Sequence, residues 1–426
     1  MIDRTVSPRI KDAVEFDLQL KPCQRHTLDN GVPVYTVDAG TEEVLQIDWV
    51  FDAGNWYEDR NLVAASTNYL LKNGTTKKDA YAINEHFDYY GSYLNRHCYN
   101  ETASMTLHSL SRHLHELLPV VAELLSESAF TERELKLYKQ TSKQKLAVNL
   151  KKCEFVAGRL IDEYLFGIDH PYGRYTTPEA FDAIDREQLL QYFKQFYTEG
   201  RCIIFVAGKL PADILPLLNR HFGSLPFNQA RLPEKQHAIL PAAEMKYRIS
   251  NDAGGVQGAI RLATPFPGRK HPDFMKIQVL NTLFGGFFGS RLMSNIREDK
   301  GYTYGIHSYF ENHRQQSAWF VSTEAGRAVC EATLQEVYKE MTLLREVPVD
   351  EEELLLVRNY MMGSILGELD GPFQIMAKWK NIILHDLDEN YFYDFIRTIK
   401  IITADDIQQM ARKYLMPETF YELVVV

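Results

Sequence analysis

The segment LQIDWVFDAG, residues 45–54, and its echo VQGAIRLATP, residues 256–265, decide the fold of this chain. The first segment predicts a β-strand over Leu45–Phe51 that ends at Ala53 and Gly54. The second segment repeats that pattern 211 residues later. One such echo is weak evidence, so its value depends on whether other segments return in the same order.

Three further segments do return in the same order. They are TERELKLYKQ (131–140) with DEEELLLVRN (350–359), REQLLQYFKQFY (186–197) with ADDIQQMARKYL (404–415), and IIFVAG (203–208) with YELVVV (421–426). Their offsets are 219, 218 and 218 residues, close to the first offset. We therefore predict an α+β fold of two homologous domains, each a mostly antiparallel sheet with helices packed on one face.

The boundary between the two copies is predicted from a proline-containing stretch. Residues 226–246 include Pro233 and Pro241 and mix charges without a sustained hydrophobic period, which is typical of a linker. The predicted domains are residues 1–225 and 247–426. Two similar domains joined by one linker can face each other and enclose a cleft, so we expect a clamshell.

Composition restricts the possible partners and compartment. The chain is 45% hydrophobic and 24% charged, as in ordinary globular proteins, and its net charge of −10 argues against nucleic acid or an anionic membrane surface as a partner. The sequence has no apolar run of 18 residues and starts without an apolar signal segment. Its five cysteines are scattered along the chain. Together these features predict a cytoplasmic protein with reduced thiols.

The stretch NLVAASTNYLLKNGT, Asn61–Thr75, predicts a helix that leads into a glycine turn. Helical zinc sites use two histidines four residues apart and a neighbouring glutamate, as in His-x-x-Glu-His, and no such motif occurs in this sequence. Two partial matches exist: His86 follows a glutamate without the first histidine, and His113 and His115 lie on different helix faces. Both favour exposed polar residues over metal ligands.

The stretch SRLMSNIREDKGYTYG, residues 290–305, carries the second candidate site. It predicts a helix that carries Arg297 to its end, a break at Gly301 and a strand that starts at Tyr304. A guanidinium and a phenol placed in this way could bind a peptide carbonyl or an oxyanion. From the chemistry alone, the favoured interpretation is a surface arginine paired with Glu298 or Asp299 and a tyrosine on a sheet.

These stretches together resemble the insulinase/pitrilysin (M16) metallopeptidases, in particular the two-domain subfamily with the LuxS/MPP-like fold that includes mitochondrial processing peptidase subunits. The resemblance covers nearly the whole chain. It is carried by LDNG at residues 28–31, KNGT at 72–75 and SRL…IRE-x-KGY-x-Y at 290–304. The chain departs from the family pattern at Asn73, where the family has lysine, and at Ile296 and Tyr302, where it has leucines.

The resemblance implies a degenerate zinc site. Ala65 and Tyr69 stand at the positions of the two histidines, Asn68 stands at the glutamate, and Lys145 is the best match to the third ligand. A methyl group, a phenol, an amide and an ammonium cannot bind zinc, so no metal is expected in this chain. The same resemblance implies that Arg297 and Tyr304 bind substrate.

The expected function is that of a non-catalytic subunit, inactive by itself, that binds peptide or protein substrate and activates a zinc-bearing partner chain in a heterodimeric zinc endopeptidase. Zinc is then expected in the partner chain. The alternative is a stand-alone peptide-binding or scaffold protein of the same fold. An active enzyme with unconventional ligands is a third hypothesis, and the chain could also form homodimers when alone.

Overall fold

The computed structural model describes residues 11–233 and 235–426, which form two compact units. The N-terminal unit comprises residues 21–254, 371–381 and 425–426. The described part of the C-terminal unit comprises residues 11–20, 255–370 and 382–424. The domain boundaries predicted around the 226–246 linker stay a prediction.

A six-stranded sheet lies at the centre of the N-terminal unit. Its strands are β1 (Gln24–Thr27), β2 (Pro33–Asp38), β3 (Val44–Phe51), β4 (Tyr93–Cys98), β5 (Ala103–Leu110) and β6 (Cys202–Gly208). They lie in the order β1-β2-β6-β3-β5-β4, and every neighbouring pair is antiparallel except β2 and β6. Asn30 and Gly31, a pair typical of tight turns, connect β1 and β2 in a hairpin, with Gly31 in the left-handed region at a φ of 85°.

Helices cover one face of this sheet because alternate residues of β3 are large and apolar. The helices are α1 (Val63–Leu70), α2 (Ala80–Tyr89), α3 (Leu114–Glu127), α4 (Glu132–Asn149), α5 (Cys153–Phe166), α6 (Pro178–Ala183), α7 (Arg186–Phe193) and α8 (Ile214–Phe222). Trp49 and Phe51 of β3 are fully buried in the core that these helices share with the sheet. The Trp49 ring packs on Phe222 of α8, and the Phe51 ring packs on Tyr197 beyond α7.

The other face of β3 carries a buried carboxylate. Asp48 accepts hydrogen bonds from the Thr106 hydroxyl at 2.5 Å and from the Lys380 ammonium at 2.9 Å. Lys380 belongs to residues 371–381, which are distant in sequence but part of the N-terminal unit. The charge of Asp48 is therefore compensated where it is buried.

The C-terminal unit repeats the plan of the first. After the short strand β7 (Lys246–Ile249), its strands are β8 (Gln257–Phe266), β9 (Thr303–Asn312), β10 (Ser317–Gly326) and β11 (Tyr421–Val425). Its helices are α9 (Phe274–Asn281), α10 (Cys330–Glu346), α11 (Glu351–Gly367), α12 (Pro372–Leu384, which straddles the two units), α13 (Asn390–Ile401) and α14 (Ala404–Tyr414). Thr282–Gly286 and Met293–Asp299 are short helical segments. In neither unit does a described helix combine the length and apolar character that a membrane span requires.

The duplication predicted from the sequence is confirmed by the strand order. The second sheet contains the run β11-β8-β10-β9, which matches the run β6-β3-β5-β4 of the first sheet. The four sequence echoes fall on equivalent elements: β3 with β8, α4 with α11, α7 with α14, and β6 with β11. The chain therefore has the predicted α+β fold with two homologous copies.

A buried polar cluster fixes α9 against the second sheet. Asn281 Oδ1 accepts hydrogen bonds from Ser308 Oγ at 2.7 Å and from Trp319 Nε1 at 2.8 Å. All three side chains are buried. Trp319 Nε1 also lies 2.7 Å from Ser308 Oγ, so the three side chains form one buried hydrogen-bonded cluster in which Asn281 Oδ1 is the acceptor shared by both donors.

Replacing Asn281 with alanine should lower the free energy of unfolding by about 1–3 kcal/mol, because the Ser308 and Trp319 donors lose their common acceptor. Urea denaturation followed by tryptophan fluorescence measures the change. Asn84→Ala, at an exposed position of α2, is the matched control and should have a much smaller effect. Equal effects of the two substitutions would contradict the structural role of Asn281.

Candidate functional site

A buried carboxylate sets the start of α1, the helix that carries three of the predicted site positions. Glu58 is 3% exposed and accepts hydrogen bonds from the backbone N–H groups of Leu62 at 3.2 Å and Ala64 at 2.9 Å. Burial raises the pKa of Glu58 to about 7, although the two N–H donors and the Arg174 guanidinium act in the opposite direction. Leu62 enters the helix in the left-handed region, at a φ of 73°.

Asn68 ties α1 to the sheet. Its side-chain amide is buried and donates to the Tyr197 hydroxyl at 3.1 Å and to the Ser104 backbone carbonyl at 3.4 Å. Ala65, one turn earlier, is partly buried and offers only a methyl group. At these two positions the structure therefore has packing and hydrogen bonding within the protein, with no group that could activate water.

Tyr69 lies at the edge of the same helix and is 44% exposed. Its ring is 4.8 Å from the ring of Tyr138 on α4, and the guanidinium of Arg96 on β4 lies 5.2 Å from its centre. Arg96 Nη1 donates to the Tyr69 backbone carbonyl and, at 3.3 Å, to the Asn73 side-chain oxygen. The guanidinium of Arg96 therefore lies beside Tyr69, one of the residues that align with the metal ligands of the family.

The aligned third-ligand residue, Lys145, is exposed on α4. The α4 residue in contact with α1 is Tyr138, whose hydroxyl accepts a hydrogen bond from Ser66 at 3.1 Å. Lys145 follows Tyr138 by seven residues, so both lie on the same side of α4. Sequence reasoning missed Tyr138, although this seven-residue spacing from Lys145 was a usable signal.

These residues do not fit a zinc ion. The donor set around α1 consists of an amide, two phenols and a guanidinium, whereas zinc sites use imidazole, thiolate or carboxylate ligands. Across residues 11–233 and 235–426, no group of three or more His, Cys, Asp or Glu side chains is arranged to hold a metal. His86 and His115 instead contact the Glu116 backbone carbonyl and the Asp213 carboxylate, respectively.

Arg297 and Tyr304 both lie in the C-terminal unit, on consecutive elements. The Arg297 guanidinium lies 4.6 Å from the centre of the Phe288 ring, and its Nε is 3.7 Å from the Glu298 carboxylate. Tyr304 lies at the start of β9, an edge strand of its sheet, and is 96% exposed. Within the described residues no hydrogen bond joins Arg297 to Tyr304, so the structure leaves both polar groups available to a ligand.

Comparison with known proteins finds similar sequences along nearly the whole chain. Residues 183–361 match the model of the peptidase M16 inactive domain. The chain is 23% identical over 401 residues to an uncharacterized zinc protease, YmxG, of Bacillus subtilis, covering 92% of this chain and 95% of that protein. It is 22% identical to a probable mitochondrial-processing peptidase subunit beta of Arabidopsis thaliana, covering 91% of this chain and 75% of that protein. The chain is thus similar to M16 peptidases and their homologues over nearly its whole length.

Solved structures share the fold of this chain. The peptidase M16 inactive domain from Pseudomonas fluorescens superposes with a TM-score of 0.84 at 23% identity, covering 95% of this chain and 98% of that one. A protease from Helicobacter pylori superposes with a TM-score of 0.86 at 16% identity, covering 96% of this chain and all of that one. The α+β fold with helix-covered sheets is thus shared with these structures, whereas this sequence lacks the His-x-x-Glu-His zinc motif.

The raised pKa of Glu58 predicts a pH-dependent stability. Between the ordinary glutamate pKa of 4.5 and about 7, the folded chain binds more protons at Glu58 than the unfolded chain. The stability that Glu58 contributes therefore falls as the pH rises through this window, by up to about 3 kcal/mol. Urea denaturation between pH 5 and pH 8 should show a weaker decline for Glu58→Gln than for the unmodified chain.

Glu187→Gln, at an exposed position in the first turn of α7, is the control for removal of a carboxylate near a helix start. If Glu58→Gln and the unmodified chain lose stability in parallel as the pH rises, the protonation assigned to Glu58 is wrong.

Restoring the family motif on α1 alone should not create a zinc enzyme. The triple variant Ala65→His, Asn68→Glu and Tyr69→His still has the Arg96 guanidinium beside the new ligands and Lys145 at the third-ligand position. Both cations oppose binding of a divalent metal. Zinc titration and peptide-cleavage assays of the purified variant should show neither stoichiometric binding nor hydrolysis. Zinc-dependent cleavage would show that the third ligand lies elsewhere.

Proposed function

We propose that this chain is the non-catalytic, substrate-binding and activating subunit of a heterodimeric M16-type zinc endopeptidase. The observation that carries the proposal is the contrast between its two candidate sites. The α1 positions are filled by internal contacts of Asn68 and Tyr69, whereas Arg297 and Tyr304 reach solvent with their donors available. Zinc and the hydrolytic step are assigned to the partner chain.

In this proposal, Arg297 and Tyr304 bind and orient the scissile peptide. A guanidinium and a phenol both donate hydrogen bonds, and the guanidinium offers several donors in one planar group. Such donors suit a peptide carbonyl in the ground state and bind an oxyanion more strongly as charge develops on it. Glu298, the neighbour of Arg297, limits the mobility of the guanidinium without burying it.

Two edge strands support peptide binding by the chain. Within residues 11–233 and 235–426, β4 and β9 each pair with a strand on one side only, so the other side of each strand leaves backbone hydrogen-bonding groups open. Exposed aromatic side chains lie along both edges, including Tyr93 and His97 on β4 and Tyr304 and Tyr309 on β9. An extended peptide can add to such an edge through its main chain, with these side chains contacting its residues.

Mixing the purified chain with a zinc-bearing M16 chain encoded beside it should produce peptidase activity that this chain lacks by itself. We expect Arg297→Ala and Tyr304→Phe each to lower kcat of the mixture about 10²-fold or more, the usual effect of losing one oxyanion donor. A fluorogenic peptide assay measures turnover, and size-exclusion chromatography checks that the two chains still associate.

The matched controls are Arg397→Ala and Tyr360→Phe, at partly exposed positions of the same unit that are outside the proposed site. Both controls should retain full turnover. Unchanged turnover of the Arg297 and Tyr304 variants would refute their assigned role. If no zinc-bearing chain is activated at all, the stand-alone peptide-binding or scaffold function takes the place of this proposal. The cytoplasmic location expected from the sequence stays a prediction.

A further inference from the structure

Arg96 is a partly buried cation without an acidic partner. Both of its hydrogen bonds use Nη1 and go to neutral oxygens, on Tyr69 and Asn73. Within residues 11–233 and 235–426, no carboxylate forms an ion pair with this guanidinium, and its Nε and Nη2 groups make no hydrogen bond. Buried charges in proteins are normally paired because desolvation is costly, so this arrangement is incomplete without an anion.

The surroundings of Arg96 are positive. The nearby Lys72 has a lowered pKa, first because of burial and second because of repulsion by Arg96, with Asp88 acting in the opposite direction. The carboxylate nearest in the hydrogen-bond network, on Glu134, is held by the Asn73 amide at 2.9 Å and does not reach the guanidinium. The cluster of Arg96, Lys72, Tyr69 and Asn73 thus combines two cations with an aromatic face.

The position of Arg96 also suits a peptide. Arg96 lies on β4, the edge strand, and its side chain extends toward Tyr69 and Asn73 at the end of α1. A peptide that adds to β4 in an extended conformation runs alongside this cluster. Arginine binds carboxylates in a bidentate, planar geometry, which requires the two adjacent nitrogens that are free here, Nε and Nη2.

We propose that the position of the lost metal centre is a carboxylate-binding site, in which Arg96, supported by Lys72, binds a carboxylate of a peptide that lies along β4. This inference rests on the peptide-binding part of the proposed function and adds the chemical class that the site selects. The carboxylate can come from the C-terminus of the peptide or from an Asp or Glu side chain. In both cases the site binds an anion at a place where the family motif would bind a cation.

The test measures binding to the full chain alone, without a partner. Four fluorescein-labelled octapeptides of alternating Val and Thr are compared by fluorescence anisotropy: a C-terminal acid and its amide, and an amide with one internal Glu and its Gln counterpart. We expect at least one acidic peptide to bind about tenfold more tightly than its neutral counterpart, the free-energy difference expected of one charge-assisted pair. A difference between the C-terminal acid and its amide identifies the C-terminus as the source of the carboxylate. A difference between the Glu and Gln peptides identifies an acidic side chain as the source.

Arg96→Met should reduce this preference to within about twofold, whereas Arg112→Met, at an exposed position before α3, should preserve it. If Arg96→Met does not fold, the comparison of acidic with neutral peptides on the unmodified chain still tests whether the site binds a carboxylate. Lys72→Met then tests whether the preference for the acidic peptide depends on this cluster. Equal affinities for acidic and neutral peptides would overturn this inference and leave peptide binding intact. Absence of binding by all four peptides would overturn both this inference and peptide binding by the isolated chain, whereas activation of a zinc-bearing partner is measured separately.

Discussion

The N-terminal unit depends on the register of β3 between its two neighbours. Val44–Phe51 pairs antiparallel with β5 on one side and with β6 on the other. Trp49 and Phe51 face the helices, and Asp48 faces the opposite side, where Thr106 and Lys380 bind its carboxylate. A slip of one residue would exchange these two sets, burying a carboxylate among rings and exposing the rings. The register is therefore fixed from both faces.

This register places the centre of α1. Ser104 of β5 lies opposite Val50 of β3, and its carbonyl accepts from the Asn68 amide. Asn68 is thus held over the sheet and is not available to a substrate. The neighbouring Tyr69 is held by the Tyr138 ring and Arg96. Since arginine only donates hydrogen bonds and keeps its proton, Arg96 can bind and orient an anion but cannot act as a general base.

The sequence predicted the fold well because the fold signal is local and repeated. The β3 and β8 echoes come from short stretches, and the structure confirms them as equivalent strands. The Asn30–Gly31 turn and the Asp185 cap of α7 are likewise local features. The inclusion of residues 371–381 in the N-terminal unit had no local signal, because an amphipathic helix does not specify which surface it covers.

The candidate site was less predictable because its residues are brought together by tertiary packing, which leaves no local signal in the sequence. Arg96 belongs to no recognised sequence motif and lies 27 residues after Tyr69 in the chain. Only the placement of β4 beside α1 brings Arg96 and Tyr69 together. Glu58 was missed because its role arises from burial, which raises its pKa, and burial of one glutamate is not visible in a sequence pattern. Arg297 and Tyr304 were recognised through a motif and not through geometry, and their role stays a prediction.

The two copies have kept the same strand order and diverged in the chemistry of their edges. On β4 the distinctive group is a guanidinium facing α1, and on β9 it is an exposed phenol that follows Arg297 in the chain. These groups are hydrogen-bond donors, suited to the carbonyls and carboxylates of a peptide. Cleavage also needs a nucleophile and a base to activate it, and the residues of these two sites supply neither. Hydrogen-bond donors without a base agree with the proposed role, in which this chain holds the substrate and another chain supplies the chemistry.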